Sequence, residues 1–100
     1  MSLNDLIKKI AQKRNERGFV TDPLKIHMLL TEEVGEIAAE LKKLWSKNYD
    51  SFDKKKLAEE LSDTFCLLAA MAHECDIDLE KAIQDKFFDK DEQRVWKTER

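Results

Sequence analysis

The chain has 100 residues, of which 39% are charged and 42% apolar, with two glycines and one proline. That size suits one domain with a modest core, and that composition favours helices over a loop-rich or all-β fold. A net charge of -3 lacks the basic excess of a nucleic-acid or membrane-surface binder, so neither is expected as a partner.

Ser2 with Asp5 three residues on makes a capping-box start. Leu3, Ile7, Ile10 and Ala11 then mark one face of a helix over 3–16 that ends ahead of Gly18. Asp22 as N-cap and Pro23 in the first helical position open a second helix, carried to about Ser46. Its apolar stripe is Leu30, Val34, Ile37, Leu41 and Leu44, with His27 facing it; beside it runs a second stripe of Leu29, Glu33, Glu36 and Glu40.

Ser51 is a cap for a third helix from Phe52 to Glu74. From Thr64 to Ala72 this helix is apolar on every face, which predicts burial on all sides, within the bundle or by a neighbouring subunit. His73 falls at its C-terminal end. Asp78 caps a fourth helix whose face is Leu79, Ile83, Phe87 and Val95. The expectation is a single domain over 1–100: an all-α, four-helix bundle completed by homo-oligomerisation. Cys66 and Cys75 share one helix about 13 Å apart in rise, too far to bridge, and read as buried thiols in a reducing compartment. With neither a signal peptide nor a membrane span in the pattern, a cytoplasmic protein is expected.

Glu33 and Glu36 are three apart on the second helix, and Glu60 and Asp63 three apart on the third, so each pair projects from one face. Facing each other they make a four-carboxylate pocket. Glu60 and Asp63 lead into the apolar half of their helix, at the edge of the core, where clustered like charges must take up protons or hold a cation. Oxygen-only ligands favour Mg²⁺ or Mn²⁺ over zinc. A di-iron bundle is excluded, because neither His27 nor His73 follows a glutamate by three. Gly35, between Glu33 and Glu36, is expected to let the third helix approach closely.

These residues resemble the MazG-type all-α nucleoside triphosphate pyrophosphohydrolases, whose signature is EExxE and, after a variable spacer, ExxD. Here it reads Glu32-Glu33-Val34-Gly35-Glu36 and Glu60-Leu61-Ser62-Asp63, with 23 residues between. Ahead of it, Glu16-Arg17-Gly18-Phe19 and Asp22-Pro23 are similar to the start of the dCTP pyrophosphatase branch; behind it, Asp76-Ile77-Asp78-Leu79 through Lys86 is similar to the family's turn and last helix.

The resemblance implies that Glu33, Glu36, Glu60 and Asp63 bind Mg²⁺, that Lys86 and Arg94 meet phosphates, and that the active form is a homodimer or a dimer of dimers. The tail departs from the family pattern: Lys90 or Asp91 stands in place of an asparagine, and Arg94, Val95 and Trp96 follow at altered spacing. The implied reaction converts a nucleoside triphosphate and water to the monophosphate and pyrophosphate. A triphosphate brings about four negative charges to four carboxylates, so a metal ion is obligatory there. Glu36 or the neighbouring Glu32 is the acceptor for the proton of the attacking water. Arg17 is expected at the substrate, and Phe19, Trp45 and Trp96 are the candidate platforms for the base. Phosphoribosyl-ATP pyrophosphohydrolase, with a similar helical carboxylate site, is one alternative reading, and a non-catalytic helical interaction module is another.

Overall fold

A computed structural model describes residues 1–95, so Trp96 lies outside the described residues. Four α-helices and no strand are found among them: α1 Leu3–Glu16, α2 Pro23–Leu41, α3 Lys54–Glu74 and α4 Leu79–Ile83. A 3₁₀ turn, Lys42–Leu44, extends α2, and a π-helical stretch, Gln84–Lys90, extends α4. The all-helical fold follows the sequence.

The local chemistry of the termini accounts for most boundaries. At α1 the Ser2 hydroxyl accepts from Asp5 N–H at 3.0 Å and the Asp5 carboxylate accepts from Ser2 N–H at 3.1 Å, the reciprocal pair of a capping box. Asp22 accepts from Leu24 N–H ahead of Pro23, and Asp78 accepts from Lys81 N–H ahead of Leu79. α1 ends in a Schellman turn: Gly18, at φ 71°, donates to Asn15 O and Phe19 N–H to Arg14 O. The end of α3 repeats that turn with Asp76 in the left-handed conformation, φ 54°.

Three boundaries differ from the sequence reading. α2 stops as an α-helix at Leu41, and Ser46 lies beyond its 3₁₀ extension. α3 begins at Lys54 and is capped by Asp53, not Ser51: the Asp53 carboxylate accepts from both Lys55 and Lys56 N–H. α4 widens after Ile83 into π-helical turns, leaving Phe87 66% and Phe88 55% exposed.

α3 packs along α2 most extensively, α1 lies against α3, and α4 touches α1. The core sits where these meet, with Ile26, Leu67 and Ala70 buried and Val20, Leu30 and Met71 packed around them. The apolar half of α3 is buried only in part within one chain: Leu67, Ala69, Ala70 and Ala72 are inside, whereas Leu68 is 43% exposed. His27 and Cys75 are exposed rather than turned to the core, and Cys66 is half-buried. Gly35 brings no close approach, since a Cβ there would meet nothing within 4 Å. No helix among the described residues is long and apolar enough to cross a membrane.

Candidate metal centre

One turn of α2 separates Glu33 from Glu36, and the packing of α3 on α2 brings Glu60 across to them. One carboxylate oxygen from each of these three lies within 4.8 Å of the others. Glu33 and Glu60 are half-buried and Glu36 is exposed, so the group opens from the helix interface toward solvent. Oε2 of Glu33 is buried and has no hydrogen-bond partner. A buried acceptor left without a donor is costly and calls for a proton or a cation.

The electrostatics agree. Burial, and then the charge of Glu36 and a proton shared with it, push the Glu33 carboxyl up to about 7, with Asp63 and Glu60 adding to the shift. Glu60 is raised as well, chiefly through a proton shared with Glu36 and then by burial. Three clustered carboxylates, one of them with an unsatisfied buried oxygen, fit a hard divalent cation, and the donor set contains neither nitrogen nor sulfur.

Asp63, one turn on from Glu60, is exposed and stands outside that group of three, although its charge reaches both Glu33 and Glu60. It lines a cavity of about 220 Å³ together with Ile10, Lys13, Arg14, Arg17, Phe19 and Cys66. Arg17 and Phe19 thus share a cavity with Asp63, and none of the three clustered carboxylates lines it. Glu32 is exposed on α2 beside Glu33. Lys86 and Arg94 are placed together around Asp91, Lys86 as an ion pair and Arg94 at 3.8 Å, rather than among the three clustered carboxylates. Trp45 is 84% exposed and borders a separate groove with Gly35, Ala38, Ala39, Leu41 and Lys42.

Glu40 behaves unlike the other acids of its stripe. Only 2% exposed, it accepts from Asp53 N–H at 2.8 Å and from Lys43 Nζ at 3.0 Å. Those bonds, the backbone one first, hold its carboxyl below the usual range. It ties the end of α2 to the start of α3 and so helps set which face of α3 meets Glu33.

Two carboxylates from α2 and one from α3 thus converge at the helix interface. The family model for the MazG nucleotide pyrophosphohydrolase domain matches residues 21–96. The chain belongs to this family. The match covers α2, α3 and α4, with Glu33, Glu36, Glu60 and Asp63 among its residues, while α1 and the turn through Val20 precede it. Neither a curated protein nor a solved structure matches the chain. As a MazG domain the chain carries a nucleotide pyrophosphohydrolase fold, and its acidic group stands where two helices of that domain cross.

Proposed function

We propose that this chain is a Mg²⁺-dependent nucleoside triphosphate pyrophosphohydrolase that converts a ribo- or deoxyribonucleoside triphosphate to the monophosphate and pyrophosphate, clearing unwanted nucleotides from the cytoplasmic pool. The observation that carries this reading is the group of three carboxylates, one of which, Glu33, has a buried oxygen without a hydrogen-bond partner. Glu33, Glu36 and Glu60 would hold the ion, with Asp63 at its edge. Mg²⁺, or Mn²⁺ in its place, supplies there the positive charge that lets an acidic site accept a triphosphate and offsets charge building on the departing pyrophosphate.

The chain's own groups do the rest. Glu36, at the solvent side of the cluster, or Glu32 next to Glu33 accepts the proton of the attacking water. Arg17 and Phe19 bound the cavity that opens at Asp63 and take the nucleoside end of the substrate. Lys86 and Arg94 are assigned to the phosphate end, where a phosphate reaching Lys86 has to displace Asp91, and Trp96 stays a candidate platform for the base.

The test is pyrophosphate release from a panel of ribo- and deoxyribonucleoside triphosphates and phosphoribosyl-ATP, with Mg²⁺ and with EDTA. Equal amounts of monophosphate and pyrophosphate by phosphorus NMR, abolished by EDTA, are expected. Diphosphate and inorganic phosphate as first products would refute the assigned bond; no turnover of any compound would leave a helical binding module.

The same reading includes a homodimer or a dimer of dimers. Val34 and Leu41 on α2 and Leu61 and Leu68 on α3 stand seven apart on helices that pack together, and each is 42–51% exposed. Apolar positions repeating every seven residues on two neighbouring helices suit a matching helical surface on a second copy. Light scattering should give at least twice the chain mass at micromolar concentration, and a stable monomer there would end the dimer proposal.

A further inference from the structure

The turn after α1 is held by one side chain. Its Schellman geometry sets Phe19 N–H on Arg14 O at 3.0 Å, and the Arg14 side chain then reaches forward over the turn. Nη2 of Arg14 donates to Val20 O at 2.9 Å, while the guanidinium carbon lies 5.3 Å from the centroid of the Phe19 ring. Val20 is anchored by packing against the core of Ile26, Leu67 and Ala70. Phe19 is 47% exposed and lines the cavity that also carries Asp63 and Cys66. Half-buried Arg14 thus spans from a carbonyl fixed on the core to an aromatic ring at the cavity wall.

A planar guanidinium can donate along its edge and lie over a ring with its face at the same time, which a lysine ammonium cannot. We infer that Arg14 is a positioning residue: by bridging the Val20 carbonyl and the Phe19 ring it fixes Phe19 as the wall against which the heterocyclic base of the nucleotide rests. The inference builds on the nucleotide reading above. A loose turn would have to be ordered during binding, at a cost in conformational entropy that falls on substrate affinity and not on the chemical step. Arg14 and Phe19 both precede residues 21–96, the stretch that the MazG family model matches.

The experiment is a double-mutant cycle of Arg14→Met and Phe19→Leu, with Arg14→Lys as the conservative variant. KM and kcat are measured on the triphosphate that the parent hydrolyses fastest. Arg14→Met should raise KM by about tenfold with kcat within about twofold of the parent, the pattern of lost preorganisation. Arg14→Lys should recover part of that loss, and Arg14→Met should add nothing in the Phe19→Leu background. In nucleotide-free protein, the Phe19 amide should exchange faster in Arg14→Met, while Mn²⁺ binding followed by electron paramagnetic resonance stays at the parent value. An effect of Arg14→Met on KM that persists without Phe19 would overturn the inference, by making Arg14 a direct substrate contact. Unchanged KM in an active Arg14→Met variant overturns it too and leaves the hydrolase reading standing. A parent that releases no pyrophosphate from any triphosphate defeats the hydrolase reading itself and takes the base-wall role with it.

Discussion

Replacing Glu33 by Gln should make the metal-free protein more stable at pH 8 while lowering activity with Mg²⁺ by at least about a hundredfold, the scale of losing a preorganised electrostatic group. An unfolded chain releases the Glu33 proton near the ordinary value of 4.5, whereas the folded chain keeps it up to about 7. Between those limits the folded state holds the extra proton, so this group's contribution to stability falls as pH rises from 4.5 to 7 and stays low above. Gln is neutral throughout and flattens that decline.

Because half-buried Glu33 retains some access to water, the expected gain at pH 8 is roughly 5 °C in melting temperature, about what 1 kcal/mol gives in a domain this small. Millimolar Mg²⁺ should reverse the order, since an ion that binds only the folded state stabilises the parent by RT ln(1 + [L]/Kd) and the variant less. Thermal melts from pH 5 to 8 with Mg²⁺ and with EDTA read all of this. Parallel curves for parent and Glu33→Gln under every condition would mean that Glu33 is an ordinary surface acid and that the metal centre has been misplaced.

A second large loss is expected at a residue away from the chemistry. Glu40→Ala should lower the melting temperature by roughly 10 °C, because hydrogen bonds to a buried charged group are among the stronger ones and this variant deletes two. Activity should fall with it, since the start of α3 is no longer tied to α2 and Glu60 loses its fixed approach to Glu33. The Glu40 carboxyl is held below its ordinary value, so its stabilising effect is present above about 4.5 and is lost as pH falls through the lower folded value. The parent should accordingly lose more stability between pH 5 and 3 than Glu40→Ala does. A variant that melts within a few degrees of the parent and responds equally to acid would remove Glu40 from the framework.

The contrast between Glu33 and Glu40 marks how much could be read from the chain alone. Spacing of three on a helix was enough to pair Glu33 with Glu36, because helical geometry is local, and the caps Ser2, Asp22 and Asp78 were legible for the same reason. Glu40 lies on the same stripe as the site acids, yet its partner is an amide 13 residues away, which no local pattern reveals. That long-range bond also falls on Asp53, the residue that caps α3, where sequence alone favoured Ser51. Asp63 was grouped with the other three acids by its spacing from Glu60; standing outside them depends on how α3 lies across α2, which spacing does not encode. Arg14 carried only the sign of an amphipathic helix, because its role needs the turn beyond Gly18 to double back over it.

The bond between Glu40 and Asp53 has an evolutionary corollary. It pins the two ends of the connection from Trp45 to Phe52, so the start of α3 is held against α2 by residues flanking that segment, whatever the segment's length. Residues can then be inserted or deleted between Trp45 and Phe52 at little cost, since doubling a flexible loop adds only about 0.6 kcal/mol of closure entropy. Drift in loop length is thereby uncoupled from the phase of Glu60 and Asp63, and a motif split by a spacer of no fixed size can persist as one site.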